Sequence, residues 1–101
     1  MRTTYGVVWR EGDTPLARGK LELLPLSLRL DGLAGSAQVS LEIPYGDLDV
    51  VRTGRAAGDR LNGHPTLVLE RHNAEPVVIA AVTQAGVVAE LTEHLAKQVL
   101  G

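Results

Sequence analysis

Apolar residues recur at every second position in several short runs of the chain, the period of a strand that buries one face. Leu21 and Leu23 alternate with Lys20 and Glu22, Leu26, Leu28 and Leu30 with Ser27 and Arg29, and Val39, Leu41 and Ile43 with Ser40 and Glu42. Less regular runs at 4–9, 48–52, 66–71 and 76–82 are rich in Val, Leu and Ile and are bounded by Gly, Pro, Asn or Asp. Such punctuated, β-branched segments also read as strands, so about seven are expected.

The breaks fall at Glu11-Gly12-Asp13, at Asp31-Gly32 with Gly35-Ser36, at Pro44-Tyr45-Gly46-Asp47, at Asn62-Gly63-His64-Pro65 and at His72-Asn73-Ala74-Glu75. Short strands joined by short turns predict an antiparallel meander. After Thr83, which stands where an N-cap is expected, the period changes. Val88, Leu91, Leu95 and Val99 keep a spacing of three or four, with Glu90, Glu93 and Lys97 on the other side. This pattern predicts one amphipathic helix over about 84–100, supported by a Glu93–Lys97 pair and closed by Gly101.

With 101 residues, 45% hydrophobic and 22% charged, one domain over 1–101 with one core is expected. Open sheet edges invite aggregation, so the sheet is expected to bend into a partly open barrel, mainly β with one helix (α+β), whose open end or corner the helix plugs. In that arrangement Val88, Leu91 and Leu95 would meet Leu21, Leu28, Leu41 and Leu67.

Seven strands followed by a C-terminal helix resembles the order of the pleckstrin-homology-like superfold, including GRAM and bacterial pleckstrin-homology domains. The stretch from Gly19-Lys20-Leu21-Glu22-Leu23 to Leu28-Arg29-Leu30 carries part of this resemblance. The run Ile43-Pro44-Tyr45-Gly46-Asp47-Leu48 leading to Val51 is similar to the Ile-Pro-x-x-Asp-Ile step into the fifth strand. Many pleckstrin-homology domains carry a Trp in the closing helix, whereas the one Trp here is Trp9.

Charge and composition narrow the chemistry. A net charge of −2 and three per cent aromatics disfavour nucleic acid, which asks for a basic surface and stacking rings. The absence of cysteine removes disulfides and thiolate chemistry and suits a reducing compartment. No stretch approaches the ~20 apolar residues of a membrane span, and residues 1–10 lack the apolar region of a signal peptide. The expected location is therefore the cytoplasm, or the inner membrane face as a peripheral protein.

No nucleophile-elbow, zincin, P-loop or dinucleotide-binding motif occurs, so no catalytic residue is expected and the chain reads as a non-catalytic module. His64, His72 and His94 share no ligand spacing, and neither a metal site nor a cofactor is expected.

Two binding sites remain as candidates. The resemblance implies that a peptide can add as a strand beside strand five and pack against the helix, which points to Leu48, Val50 and Arg52 with Val87 and Leu91 as partner-binding residues. A protein partner, or a second copy of the chain, is the leading expectation. The alternative is weak binding of anionic-lipid or phosphoinositide headgroups through Arg10, Arg18 and Lys20, which match loosely the basic signature of the family's first hairpin. Strand alternation puts Arg18 and Lys20 on one face. Glu11 and Asp13 oppose them, and a solvated hairpin face explains the same residues. Arg52, Arg55 and Arg60, set among Asp47, Asp49 and Asp59, read as a mixed-charge loop.

Overall fold

The computed structural model describes residues 4–54, 66–81 and 87–100, with backbone alone at 87–89 and 99–100. Its strands are β1 (Thr4–Glu11), β2 (Ala17–Leu23), β3 (Ser27–Ala34), β4 (Ala37–Pro44), β5 (Leu48–Gly54), β6 (Thr66–Arg71) and β7 (Ala74–Ala81). They form one antiparallel sheet in the order β4-β3-β2-β1-β7-β6-β5, and α1 (Val87–Leu100) follows. Strand β1 joins the two hairpin series, since Trp9 stands opposite Ala17 of β2 and Ile79 of β7.

The sheet curls into a half-barrel because its apolar face is continuous from β4 to β5. Tyr5, Val7, Trp9, Leu21, Leu28, Leu30, Ile43, Leu67, Leu69 and Ile79 turn into one core with Leu91 and Leu95 of α1. Curling needs close backbone approach between β2 and β3, where Gly19 and Gly32 face each other. A Cβ at Gly19 would stand 1.9 Å from the Asp31 carbonyl oxygen, and one at Gly32 2.4 Å from that of Arg18. The helix covers one side of the concave face, packing chiefly on β5 and then on β6, β7 and the 3₁₀ turn Tyr45–Asp47. The Tyr5 hydroxyl donates to Glu90 Oε1 at 2.9 Å, which ties the first turns of α1 to the start of β1.

Three details depart from the sequence expectation. Asp31-Gly32 was expected to turn the chain, but both residues lie within β3, and the reversal falls at Gly35-Ser36. Within β3, Gly32 serves the close approach of β2 and β3 instead. Leu26 continues the alternation of Leu28 and Leu30, yet it is 83% exposed because β3 starts at Ser27. The turn before it is held by the Leu24 N–H donating to the Ser27 carbonyl, and it points Leu26 to solvent. Ala74 and Glu75 belong to β7, leaving a tight turn at His72-Asn73 in which Asn73 takes a φ of 52°.

The expected helix residues Leu91 and Leu95 join Leu21, Leu28 and Leu67 in the core, and Leu41 packs on its margin. Glu93 and Lys97 pair at 3.6 Å. Thr83 and Gly101 lie outside the described residues, as do the side chains of Val88 and Val99.

A candidate protein-binding edge and cleft

The ends of the sheet are β4 and β5, and they differ in how they are protected. On β5 a register irregularity falls between Leu48 and Val50, and α1 packs on the strand. Bulges and covering elements are two of the ways in which proteins blunt an edge. Strand β4 pairs along all eight of its residues with β3 and has no such irregularity.

Local sequence sets which groups β4 offers. Gly35, at a φ of 65°, opens a two-residue turn between Ala34 and Ala37. Such a turn closes on a hydrogen-bonded pair, and hydrogen-bonded and non-hydrogen-bonded pairs then alternate along the ladder. The N–H and C=O groups of Gln38, Ser40 and Glu42 consequently face away from β3. All three residues are exposed. Pro44, which has no N–H to offer, ends the strand on the same outward set, a position typical of proline in edge strands.

The other set, Val39 and Leu41, faces inward and is half-buried. Because α1 lies over the opposite side of the half-barrel, these residues border a cleft of about 360 Å³ whose lining includes Trp9, Glu11, Ala17, Ala34, Val39 and Leu41. Trp9 is 4% exposed, and its buried indole N–H finds no acceptor among the described residues. Leaving a buried donor unpaired costs about 1–3 kcal/mol. Glu11 is already engaged, since Arg71 Nη2 donates to its Oε2 at 2.5 Å and to the Glu75 carbonyl at 2.6 Å. The cleft is therefore apolar in its depth and polar at one rim.

The residues expected to bind a partner at β5 and the helix divide. Leu48 and Leu91 are core side chains, 5% and 1% exposed, and they form the inside of the barrel. Val50 is 41% exposed on the edge strand. The Arg52 Nε donates to Glu70 Oε2 at 3.0 Å across to β6. Val87 opens α1 with its backbone alone described. His72 Nδ1 lies 2.7 Å from Asp49 Oδ1, a further link between β5 and the β6–β7 turn.

The basic trio lies on the convex face. Arg18 and Lys20 are exposed there together, as alternation predicts. Arg18 stands across from Val8 on β1 and Leu33 on β3, beside a hollow of about 350 Å³ that includes Leu16 and Gly35. Lys20 stands across from Asp31, whose carboxyl is held below the usual range by the Ser40 hydroxyl and, less strongly, by Arg29 and Lys20. Arg10 is half-buried on β1, and its Nε has no hydrogen-bond partner among the described residues. Arg55 and Arg60 lie outside the described residues.

The alternation of β4 is legible in the sequence, but its place at a sheet end is not, because strand order is a property of the whole ladder. The cleft escaped for a similar reason, as its lining comes from four strands and the β1–β2 turn.

Neither a family model nor a curated protein matches the sequence. Among solved structures, the chain is similar to the C-terminal domain of an unknown protein from Leishmania infantum. The TM-score is 0.70 at 16% identity, covering 97% of this chain and 82% of that one. The likeness is one of fold: a mostly β half-barrel of antiparallel strands with one C-terminal helix.

Proposed function

We propose that this chain is a non-catalytic, pleckstrin-homology-like module that binds protein by accepting an added strand at β4. The observation that carries this reading is an exposed eight-residue edge strand with no bulge, bordered on its inner side by an apolar cleft. Main-chain hydrogen bonds to the outward groups of Gln38, Ser40 and Glu42 would supply affinity, and an inward side chain of the added strand would reach Val39, Leu41 and Trp9. Binding is favoured over catalysis because, among the described residues that line the cleft, the one ionisable group, Glu11, is occupied by Arg71. The strand count, the order of elements and the closing helix support the superfold.

A photocrosslinking amino acid in place of Gln38, introduced in cells that make the protein, tests this reading. Protein adducts are expected from that position, and they should be lost with Ser40→Pro, which removes the central outward N–H. A melting temperature shows whether Ser40→Pro remains folded. Should it not fold, the same probe placed at Arg18 on the convex face provides the comparison. Adducts that survive Ser40→Pro, or that form equally from Arg18, would overturn the edge-strand reading.

A second reading keeps the headgroup site, supported by the exposure of Arg18 and Lys20 together and by an Arg10 Nε without a partner among the described residues. Lys20 shares Asp31, however, and a cation near an anionic surface contributes only about 1 kcal/mol. Sedimentation with anionic vesicles at low and moderate salt separates the two readings. Binding lost on charge reversal of Arg10, Arg18 and Lys20 would favour the membrane.

A further inference from the structure

We infer that the strand added at β4 is β4 of a second copy of this chain. The inference rests on the edge-strand reading above and names the partner. Pairing two identical strands antiparallel about a two-fold axis is self-complementary only if the outward groups of one copy meet outward groups of the other, and if like charges do not coincide. Strand β4 satisfies both conditions when the axis passes through Ser40.

In that register Ser40 faces Ser40, and Gln38 of each copy faces Glu42 of the other. All of these positions carry outward N–H and C=O groups. Glu42 is the one charged residue of Ala37–Pro44, so the register sets it against a neutral amide able to donate to it. The edge has no lysine to repel another strand, and Pro44 falls at the end of the ladder, where its missing N–H removes little.

The inner face matches as well. A two-fold axis normal to the sheet keeps the concave faces of both copies on the same side. Val39 of one copy then stands beside Leu41 of the other, twice by symmetry. These residues are half-buried in the single chain, and they would become a continuous apolar row joining the two clefts. Strand β5 offers no equivalent, since its register is interrupted and Asp49 and Arg52 are committed to His72 and Glu70.

The register makes a specific test possible. Sedimentation equilibrium of the purified full chain, from micromolar to millimolar concentration, is expected to show a monomer–dimer equilibrium. Gln38→Glu sets an introduced carboxylate against Glu42 of the second copy, at two symmetric places. Like charges directly opposite cost about 0.2–1 kcal/mol per pair, so the dimer dissociation constant should rise about 2- to 30-fold. Combining Gln38→Glu with Glu42→Lys in one chain turns both contacts into opposite-charge pairs and should restore or strengthen the dimer. Thermal melts of the dilute native chain and Gln38→Glu should remain alike, because Gln38 is exposed and stands across from Leu33. Glu42→Lys, by contrast, also faces Arg29 of its own chain and should lower the melt of the double variant slightly without changing the sign of the dimer result.

A native chain that stays monomeric throughout, or a dimer indifferent to Gln38→Glu, would overturn the inference. So would a double variant no tighter than the single one. A monomeric chain that still gives Ser40-dependent adducts to other proteins in cells sinks only the second-copy partner. A Gln38 probe that gives no adducts, or adducts that persist in Ser40→Pro, sinks the edge-strand reading itself.

Discussion

Tyr45 shows how a single side chain links turn, core and pH response. It is 8% exposed, and its hydroxyl donates to the Leu24 carbonyl at 2.7 Å, which holds the 3₁₀ turn before β5 against the β2–β3 turn. Burial raises its pKa above the ordinary phenol value. Its contribution is therefore fully present below about pH 10, where a free tyrosine ionises, and is lost as pH rises through the higher folded value. Tyr45→Phe should cost about 1 kcal/mol in urea unfolding near neutrality and should reduce the alkaline loss of stability. An unchanged alkaline slope would remove Tyr45 from that role. Asp31 has the opposite sign: Ser40 and Arg29 lower its pKa, so its contribution is lost only as pH falls below the usual carboxylate range. Alternation alone places Arg18 and Lys20 on one face, but it misplaces Leu26, because a turn one residue before the strand reverses the direction of the side chain.

At the scale of elements, the strands follow from period and punctuation, while their curvature depends on where two strands come closest. Gly19 and Gly32 look in the sequence like a loose strand start and a turn. In the sheet they are cross-strand neighbours whose missing side chains let β2 and β3 approach. Gly19→Ala should destabilise the fold by about 1–3 kcal/mol, the usual cost of forced overpacking. Denaturant unfolding would measure this, and Gly35→Ala serves as the contrast: it has open space for a Cβ and carries only the strain of its positive φ. The β6 and β7 runs lack clean alternation because the middle of the sheet is buried on both faces. Val8 and Ala80 form a small convex cluster with Leu16 and Val78, and Val68 is 2% exposed. Period two weakens wherever both faces are covered.

For the whole molecule, one core joins Trp9, near the cleft, to Leu91 and Leu95 of the helix that covers the other side. A shared core predicts a single cooperative transition. Trp9 fluorescence and helical ellipticity should lose their signals at the same temperature, and separated midpoints would show that α1 melts on its own. The sequence by itself determined the number and periods of the elements, the amphipathic helix and the pairing of Glu93 with Lys97, because these depend on residues close along the chain. The identity of the protected edge, the exposure of β4, the cleft over Trp9 and the withdrawal of Leu48 and Leu91 into the core were decided only by the tertiary structure. Each of these depends on which strand stands last in the sheet and on which side of the half-barrel the helix lies, and both are settled by contacts between residues far apart in the chain.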